Sequence, residues 1–306
     1  MACFHPWKAY RKRPDKDGKG GITQDSRLAI NSTHQVTLPC GQCIGCRMDR
    51  SKDWATRITH EASLHKANAF VTLTYADAHL PLDLSVSVEA VQKFMKRLRR
   101  ASGRGIRFFA CGEYGERNWR PHYHLAIFGT DWISDRYAWR RSSSGELLYR
   151  SPALESHWPF GHSEIGTLTT ASAGYVARYI MKKVGGEQAL EHYKRVHPLT
   201  GEVVQCRPEF ITMSNKPGLG GEWYDRFKGD AFPSDFVIVE GERRSIPRYY
   251  TKKLVAESAL AALVVKGARA ARANRQADNN TPDRLAVRET VQILKAERLV
   301  RELENA

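Results

Sequence analysis

Two histidines one residue apart, two tyrosines four positions apart and three cysteines at intervals of three are the residues of this 306-residue chain whose types and spacing carry chemistry. His122 and His124 stand in RPHYHLAIFG, at the head of an apolar run. In an extended chain successive side chains alternate, so His122, His124, Ala126 and Phe128 share one face while Tyr123, Leu125 and Ile127 take the other. Two imidazoles on one face can point two ring nitrogens at one ion. A third ligand is expected from a neighbouring strand, and Glu113 in CGEYGE lies beside His122 if the two strands pair through the connector 115–121. Glu116, in the turn, is the weaker substitute. Two histidines and one carboxylate suit Mg²⁺ or Mn²⁺ with open positions for a phosphoryl oxygen. The plainer alternative is a pair of polar caps where a strand leaves the core.

In YVARYIMKK the residues Tyr175, Tyr179 and Lys182 follow an i, i+4, i+7 spacing and fall within about a 60° arc of a helix. A tyrosine hydroxyl, with a pKa of about 10, is a poor nucleophile at neutral pH unless a cation stabilises the phenolate. Lys182 and a metal would both do so. The competing reading is an amphipathic helix that buries two tyrosines. Cys40, Cys43 and Cys46 form C-x₂-C-x₂-C, a pattern that packing does not require. Structural Zn²⁺ needs a fourth ligand, with Cys3 the first choice and His5, His34 or Cys111 behind it. An iron–sulfur cluster is the alternative, although no C-x₃-C-P completes that motif, and unligated thiols are the remaining one.

The elements that must position these residues follow from periodicity. Residues 1–35 read as polar and turn-rich, with a loop at 15–21. Residues 47–66 have a helical pattern, 69–75 a strand, and 85–102 a helix with Val88, Val91, Phe94, Met95 and Leu98 as its apolar stripe. Residues 106–114 and 121–128 read as a strand pair. Residues 130–161 read as an inserted loop region, 162–169 as a strand, 171–184 as a helix ended by two glycines, and 208–214 as a last strand. Segments 215–223 and 230–236 read as loops, and the chain is helical from Lys252 with a break at 279–283. The β-α-β-β order predicts an α+β fold: a central antiparallel sheet of about five strands with helices on one face. Three segments are expected: a Cys-rich N-terminal segment with its helix over 1–66, a core over 67–245 and a basic helical extension over 246–306.

Lysine and arginine outnumber aspartate and glutamate by 48 to 33, a net charge of +15. That surplus favours polyanions, with nucleic acid the first expectation. Cations alternate with aromatics in WKAYRKR (7–13), RYAWRR (136–141) and RRSIPRYYTKK (243–253), the mixture that holds phosphates and stacks on unpaired bases. Arg120, Arg178 and Lys183 flank the histidine and tyrosine motifs and are candidate DNA contacts. The N-terminus shows no apolar signal region and no stretch is long enough to span a bilayer, so no membrane partner is expected and the expected location is the cytoplasm.

The succession of H-Y-H after an apolar strand and Y-x-x-x-Y-x-x-K some fifty residues later resembles the HUH endonucleases that initiate rolling-circle replication. FVTLTY is similar to that family's first motif. LPCGQCIGCR, TRITHEA, CGEYGERNWRPHYHLAIFG, YVARYIMKKV and ITMSNKPGLGGEWY together look like the replication initiators of gokushoviruses, small single-stranded DNA phages, over roughly residues 36–250. The resemblance implies a ferredoxin-like βαββαβ core, His122, His124 and Glu113 as metal ligands, and Tyr179 as the first nucleophile, leaving a 5′-phosphotyrosine link. It implies Tyr175 for the second cut, with the freed 3′-OH rejoining the ends. Single-stranded origin DNA would be the partner, in the cytoplasm of a bacterial host. With no G-x₄-G-K-[ST] motif in the chain, unwinding falls to a host helicase and synthesis to a host polymerase. A zinc-stabilised DNA-binding regulator without catalysis, or a plasmid initiator or transposase of the same superfamily, would share parts of this pattern.

Overall fold

The computed structural model describes residues 3–103, 105–115, 118–142, 144–179, 183–198 and 200–297. In chain order the elements are β1 (Trp7–Lys12), β2 (Gly21–Thr23), β3 (Gln35–Leu38), α1 (Ile44–Ala62), β4 (Asn68–Tyr75), α2 (Val88–Ser102), β5 (Arg107–Tyr114) and β6 (Pro121–Phe128). There follow β7 (Tyr137–Arg141), β8 (Leu147–Arg150), α3 (Pro152–His157), β9 (Gly161–Gly166), α4 (Thr170–Arg178), α5 (Gln188–His192), β10 (Lys194–Val196), β11 (Val203–Gln205) and β12 (Phe210–Met213). The last are α6 (Gly221–Ala231), β13 (Phe236–Val239), β14 (Glu242–Ser245), α7 (Arg248–Glu257), α8 (Ala259–Asn274) and α9 (Pro282–Glu297). Two compact units emerge, one of residues 1–49 with 266–299 and one centred on 50–265. The segments 1–66, 67–245 and 246–306 follow the distribution of motifs instead.

The larger unit is built on an antiparallel sheet in the order β12-β5-β6-β4-β9-β8-β7. It has seven strands rather than about five, because residues 137–150 form the hairpin β7–β8 instead of a loop. Their alternation is hidden by arginines, and by Tyr137 and Trp139, which stay exposed at the sheet edge. Helices cover both faces, not one. On the first face Val91, Phe94, Met95 and Leu98 of α2 pack with Leu154 of α3 against Val71, Leu73, Tyr123, Leu125 and Ile127. On the second, Ile58 of α1 and Ala173, Tyr175 and Val176 of α4 pack on Phe70, Phe109, Ala126 and Phe128. A strand with core on both sides reads as a continuous apolar run, which by itself does not show how many faces are covered. Val88, placed in the apolar stripe by spacing, lies at the first turn of α2 and is 38% exposed.

The ends of these helices have local causes. The Ser87 side chain accepts from Ala90 N–H at the start of α2, and Gly103 at a φ of 96° ends it. Thr169 and Ser172 form a reciprocal capping box that starts α4 and so sets the phase at which its tyrosines meet the sheet. The segment 215–223, read as a loop, starts α6 at Gly221, since its glycines hide the helical period. Residues 1–35 supply β1 and β2 of a three-stranded sheet, β2-β1-β3, in the smaller unit. Few apolar residues mark it, and Ala9 is the fully buried one on β1. No helix among the described residues is long and apolar enough to cross a membrane.

Tyr123, between the two histidines, turns to the α2 face and is fully buried. Its hydroxyl accepts the Ser87 N–H at 2.9 Å and pairs with the Tyr75 hydroxyl at 3.2 Å. A tyrosine thus ties the histidine strand to the α2 N-terminus where an aliphatic residue would only fill space. Tyr123→Phe should leave that N–H without its partner and lower stability by about 1–2 kcal/mol. Urea denaturation should show a lower midpoint at an unchanged m-value.

Candidate active site

Strand register brings the polar residues of the second face together. On β5 and β6, Glu113 pairs with His122 and Cys111 with His124. On β4, Thr74 pairs with His122 and Thr72 with His124. His122 and His124 are therefore neighbours on one face, with the ring planes 5° from parallel and the centroids 6.5 Å apart. Gly115 keeps this corner open, because a Cβ there would fall 2.9 Å from His122 Cε1.

The hydrogen bonds assign the ring nitrogens. His122 Nδ1 lies 2.7 Å from the Arg120 carbonyl, which can only accept, so Nδ1 carries the proton and Nε2 keeps its lone pair. Burial, helped by the neighbouring His124, holds the His122 pKa below its ordinary value and keeps the ring neutral at pH 7. His124 is buried, with Nε2 at 2.8 Å from Glu113 Oε1 and Nδ1 at 3.1 Å from Thr72 Oγ1. The Thr72 hydroxyl can donate or accept, so it fits either tautomer of His124. Spacing alone did not single out Thr72; its signal was alternation in FVTLTY, which sets Thr72 and Thr74 on one face.

Tyr175 and Tyr179 project from α4 and its C-terminal cap onto the same face, and both are buried. The Tyr179 ring stacks on His124 with centroids 5.0 Å apart and planes 8° from parallel. Tyr175 meets His124 edge-on at 5.6 Å, and the Tyr179 hydroxyl donates to that of Tyr175. Burial raises the Tyr179 pKa well above its ordinary value, and the Glu113 carboxylate and Tyr175 add to the rise. Lys182 and Glu116 lie outside the described residues. Arg178 is exposed, with its guanidinium 5.9 Å from the Tyr175 ring centre, and Lys183 is exposed as well. Arg120 instead clamps the end of β4, donating to the Tyr75 carbonyl at 2.7 Å and pairing with Asp77.

One neutral imidazole with an open Nε2, a second imidazole and a buried carboxylate make a donor set that fits Mg²⁺ or Mn²⁺. His124 would exchange its bond to Glu113 for the ion. A different group is already gathered. Among the described residues, Cys3, Cys40, Cys43 and Cys46 have sulfur atoms all within 4.8 Å of one another and could hold a metal ion. Cys111 is instead buried on β5, where its thiol faces the His124 carbonyl. His5 pairs with Glu289 at 2.6 Å.

Comparison with known proteins gives these residues a context. A family model for replication-associated proteins of the ORF2 type matches residues 68–184, a span holding both the histidines and the tyrosines. The chain is 32% identical over 275 residues to replication-associated protein ORF2 of Spiroplasma virus 4, covering 84% of this chain and 81% of that protein. It is 30% identical over 262 residues to replication-associated protein VP4 of Bdellovibrio phage phiMH2K, covering 82% and 76%. With replication-associated protein ORF4 of Chlamydia phage 1 it shares 30% identity over 256 residues, 76% of this chain and 59% of that protein. No solved structure matches the chain significantly.

Because the Glu113 charge opposes phenolate formation, Glu113→Gln should bring the Tyr179 ionisation down toward the ordinary tyrosine range. NMR titration of ¹³C-labelled tyrosine, with Tyr179→Phe assigning the signal, should show more phenolate at a given alkaline pH. An unmoved titration would separate Glu113 from the phenol electrostatically.

Proposed function

The chain belongs to the replication-associated proteins of Microviridae-like phages, and on that premise we propose that it initiates rolling-circle replication as an HUH-type endonuclease. In this reading it nicks single-stranded origin DNA with a tyrosine, stays joined to the 5′ end and later rejoins the strand. The observation that carries the reading is the stack of Tyr179 on His124, with Tyr175 hydrogen-bonded to Tyr179, beside Glu113 and His122.

Tyr179 Oη forms a bond to the scissile phosphorus as the bond from phosphorus to the 3′ oxygen breaks. Its proton leaves toward the Tyr175 hydroxyl, which accepts the Tyr179 hydrogen bond, and the 3′ oxygen takes a proton from water. A divalent ion held by His122, His124 and Glu113 supplies charge at the phosphoryl oxygens and offsets the carboxylate that keeps Tyr179 protonated. The Thr72 hydroxyl orients His124 for that role. Lys182 adds a cation on the tyrosine stripe. After a round of synthesis Tyr175 takes the second cut, and the released 3′-OH displaces the first phosphotyrosine to close the circle. Each step exchanges one phosphodiester for another, so no ATP is consumed. Arg178 and Lys183 hold the flanking phosphates. The work is done in the cytoplasm of the bacterial host, with helicase and polymerase supplied by that host.

Incubation with single-stranded phage genome DNA and Mn²⁺ should give an adduct that survives SDS. Tyr175→Phe with Tyr179→Phe should abolish it, and His122→Ala with His124→Ala should do the same while DNA binding persists. An undiminished adduct in the double tyrosine variant would overturn the assignment. Binding with no adduct in the unaltered protein would favour a non-catalytic regulator.

The four cysteines are best explained by zinc. Tetrahedral Zn–S bonds of about 2.3 Å place sulfurs roughly 3.8 Å apart, and Cys40 Sγ lies 4.0 Å from Cys46 Sγ. Burial raises the Cys40 thiol, but the backbone N–H groups of Cys43 and Gln42 outweigh it and draw the pKa down to about 7. Phe4 N–H donates to Cys43 Sγ at 3.4 Å and Cys40 N–H to Cys3 Sγ at 3.2 Å, which favours thiolates. Metal analysis of the purified chain should return one zinc per molecule, lost in Cys3→Ser with Cys46→Ser. Iron with acid-labile sulfide would identify a cluster instead.

A further inference from the structure

The smaller unit has a surface that the nicking site does not use. Its residues, 1–49 and 266–299, hold sixteen lysines and arginines against eight aspartates and glutamates. This surplus of eight is over half of the chain's net charge of +15, in a little over a quarter of its length. The strand β1 alternates about the buried Ala9, so Lys8, Tyr10 and Lys12 share the face opposite to it. The neighbouring strands add Thr23 from β2, and Gln35 and Thr37 from β3. No carboxylate occurs in any of the three strands. The nearby acids are engaged elsewhere: Asp25 pairs with Arg27, and Asp15 caps its own loop through the Asp17 and Lys19 N–H groups.

The face is fixed as well as basic. Gln35 Nε2 donates to the Tyr10 hydroxyl at 2.9 Å and orients its ring. Cys3 lies just before β1 and Cys40 just after β3, where Trp7 pairs with Leu38, so the cysteine group pins one end of this sheet. Lys8 and Lys12 are exposed, and no ion pair involving either occurs among the described residues. At a rise of about 3.3 Å per residue the two lysines stand roughly 13 Å apart with the tyrosine midway. That distance is on the scale of two nucleotide steps of an extended strand.

We propose that this face of the three-stranded sheet is a binding platform for single-stranded DNA, separate from the nicking site, in which Lys8 and Lys12 take phosphates and Tyr10 stacks on an unpaired base. Stacking needs a free base face, which a duplex does not offer along a flat sheet. The proposal rests on the reading of the chain as a DNA-acting protein but not on the tyrosine chemistry.

The test is fluorescence anisotropy of the full-length chain with a labelled 20-nucleotide oligo-dT, across a series of salt concentrations. Lys8→Glu with Lys12→Glu should weaken binding at least tenfold and reduce the slope of log affinity against log salt by about 1.4, the loss of two single-strand phosphate contacts. Tyr10→Ala should weaken it by roughly tenfold. Circular dichroism and metal content confirm that each variant is folded. Lys16→Glu with Lys19→Glu, on the loop, makes the same change in net charge; an equal loss there would reduce the effect to bulk charge and overturn the proposal. An equal loss on a duplex of the same length would overturn the single-strand assignment, and unchanged affinity and slope would overturn the platform itself. Because binding is read without cleavage, failure of the covalent-adduct experiment leaves this outcome intact.

Discussion

A buried carboxylate facing a buried imidazole is the constraint around which the larger unit is arranged. Glu113 and His124 sit in an otherwise apolar face, 2.8 Å apart, between a sheet and the helix α4. Neither polar group is tolerable there alone, because a buried charge without a partner costs several kcal/mol. Three strands must keep their register for the pair to form, since a slip of one residue on β6 would turn His124 into the α2 core and Tyr123 onto the site. Tyr123 resists that slip with its buried ring and its hydroxyl bonded to the start of α2.

The same burial shapes the chemistry open to the tyrosines. An apolar pocket beside a carboxylate holds the Tyr179 phenol in its protonated form, so the resting site is a weak nucleophile. A cation arriving between Glu113 and the histidines would reverse the local electrostatics without moving the backbone. The protein would then be reactive only when its ion and substrate are present. The short α4, capped by Thr169 and Ser172, presents both tyrosines four residues apart so that each can face one centre.

The smaller unit solves a different problem. Its strands bury little apolar surface, and a sheet that small is marginal without a staple. The four cysteines supply it at the junction of β1, β3 and the start of α1, which leaves the exposed strand face free to carry cations instead of core residues.

Much of the site could be read from types and spacing. Alternation placed His122 and His124 together, i, i+4 spacing placed Tyr175 with Tyr179, and the turn at 115–121 set Glu113 opposite His122. Each is a local relation, carried by the period of one element or one tight connection. The strands 68–75, 107–114 and 121–128 were legible for the same reason, being apolar and β-branched. Relations between distant segments were not legible. Nothing local marks Thr72 as the partner of His124 fifty-two residues later, Cys3 as the fourth member of a cluster that begins at Cys40, or Arg120 as a clamp on Tyr75. The hairpin at 137–150 and the strand at 7–12 escaped because an exposed strand has no buried face to write an apolar period. Sequence alone determined which side chains share an element and a face. Tertiary structure decided which faces meet, because that depends on register and packing between segments whose sequence separation leaves no periodic trace.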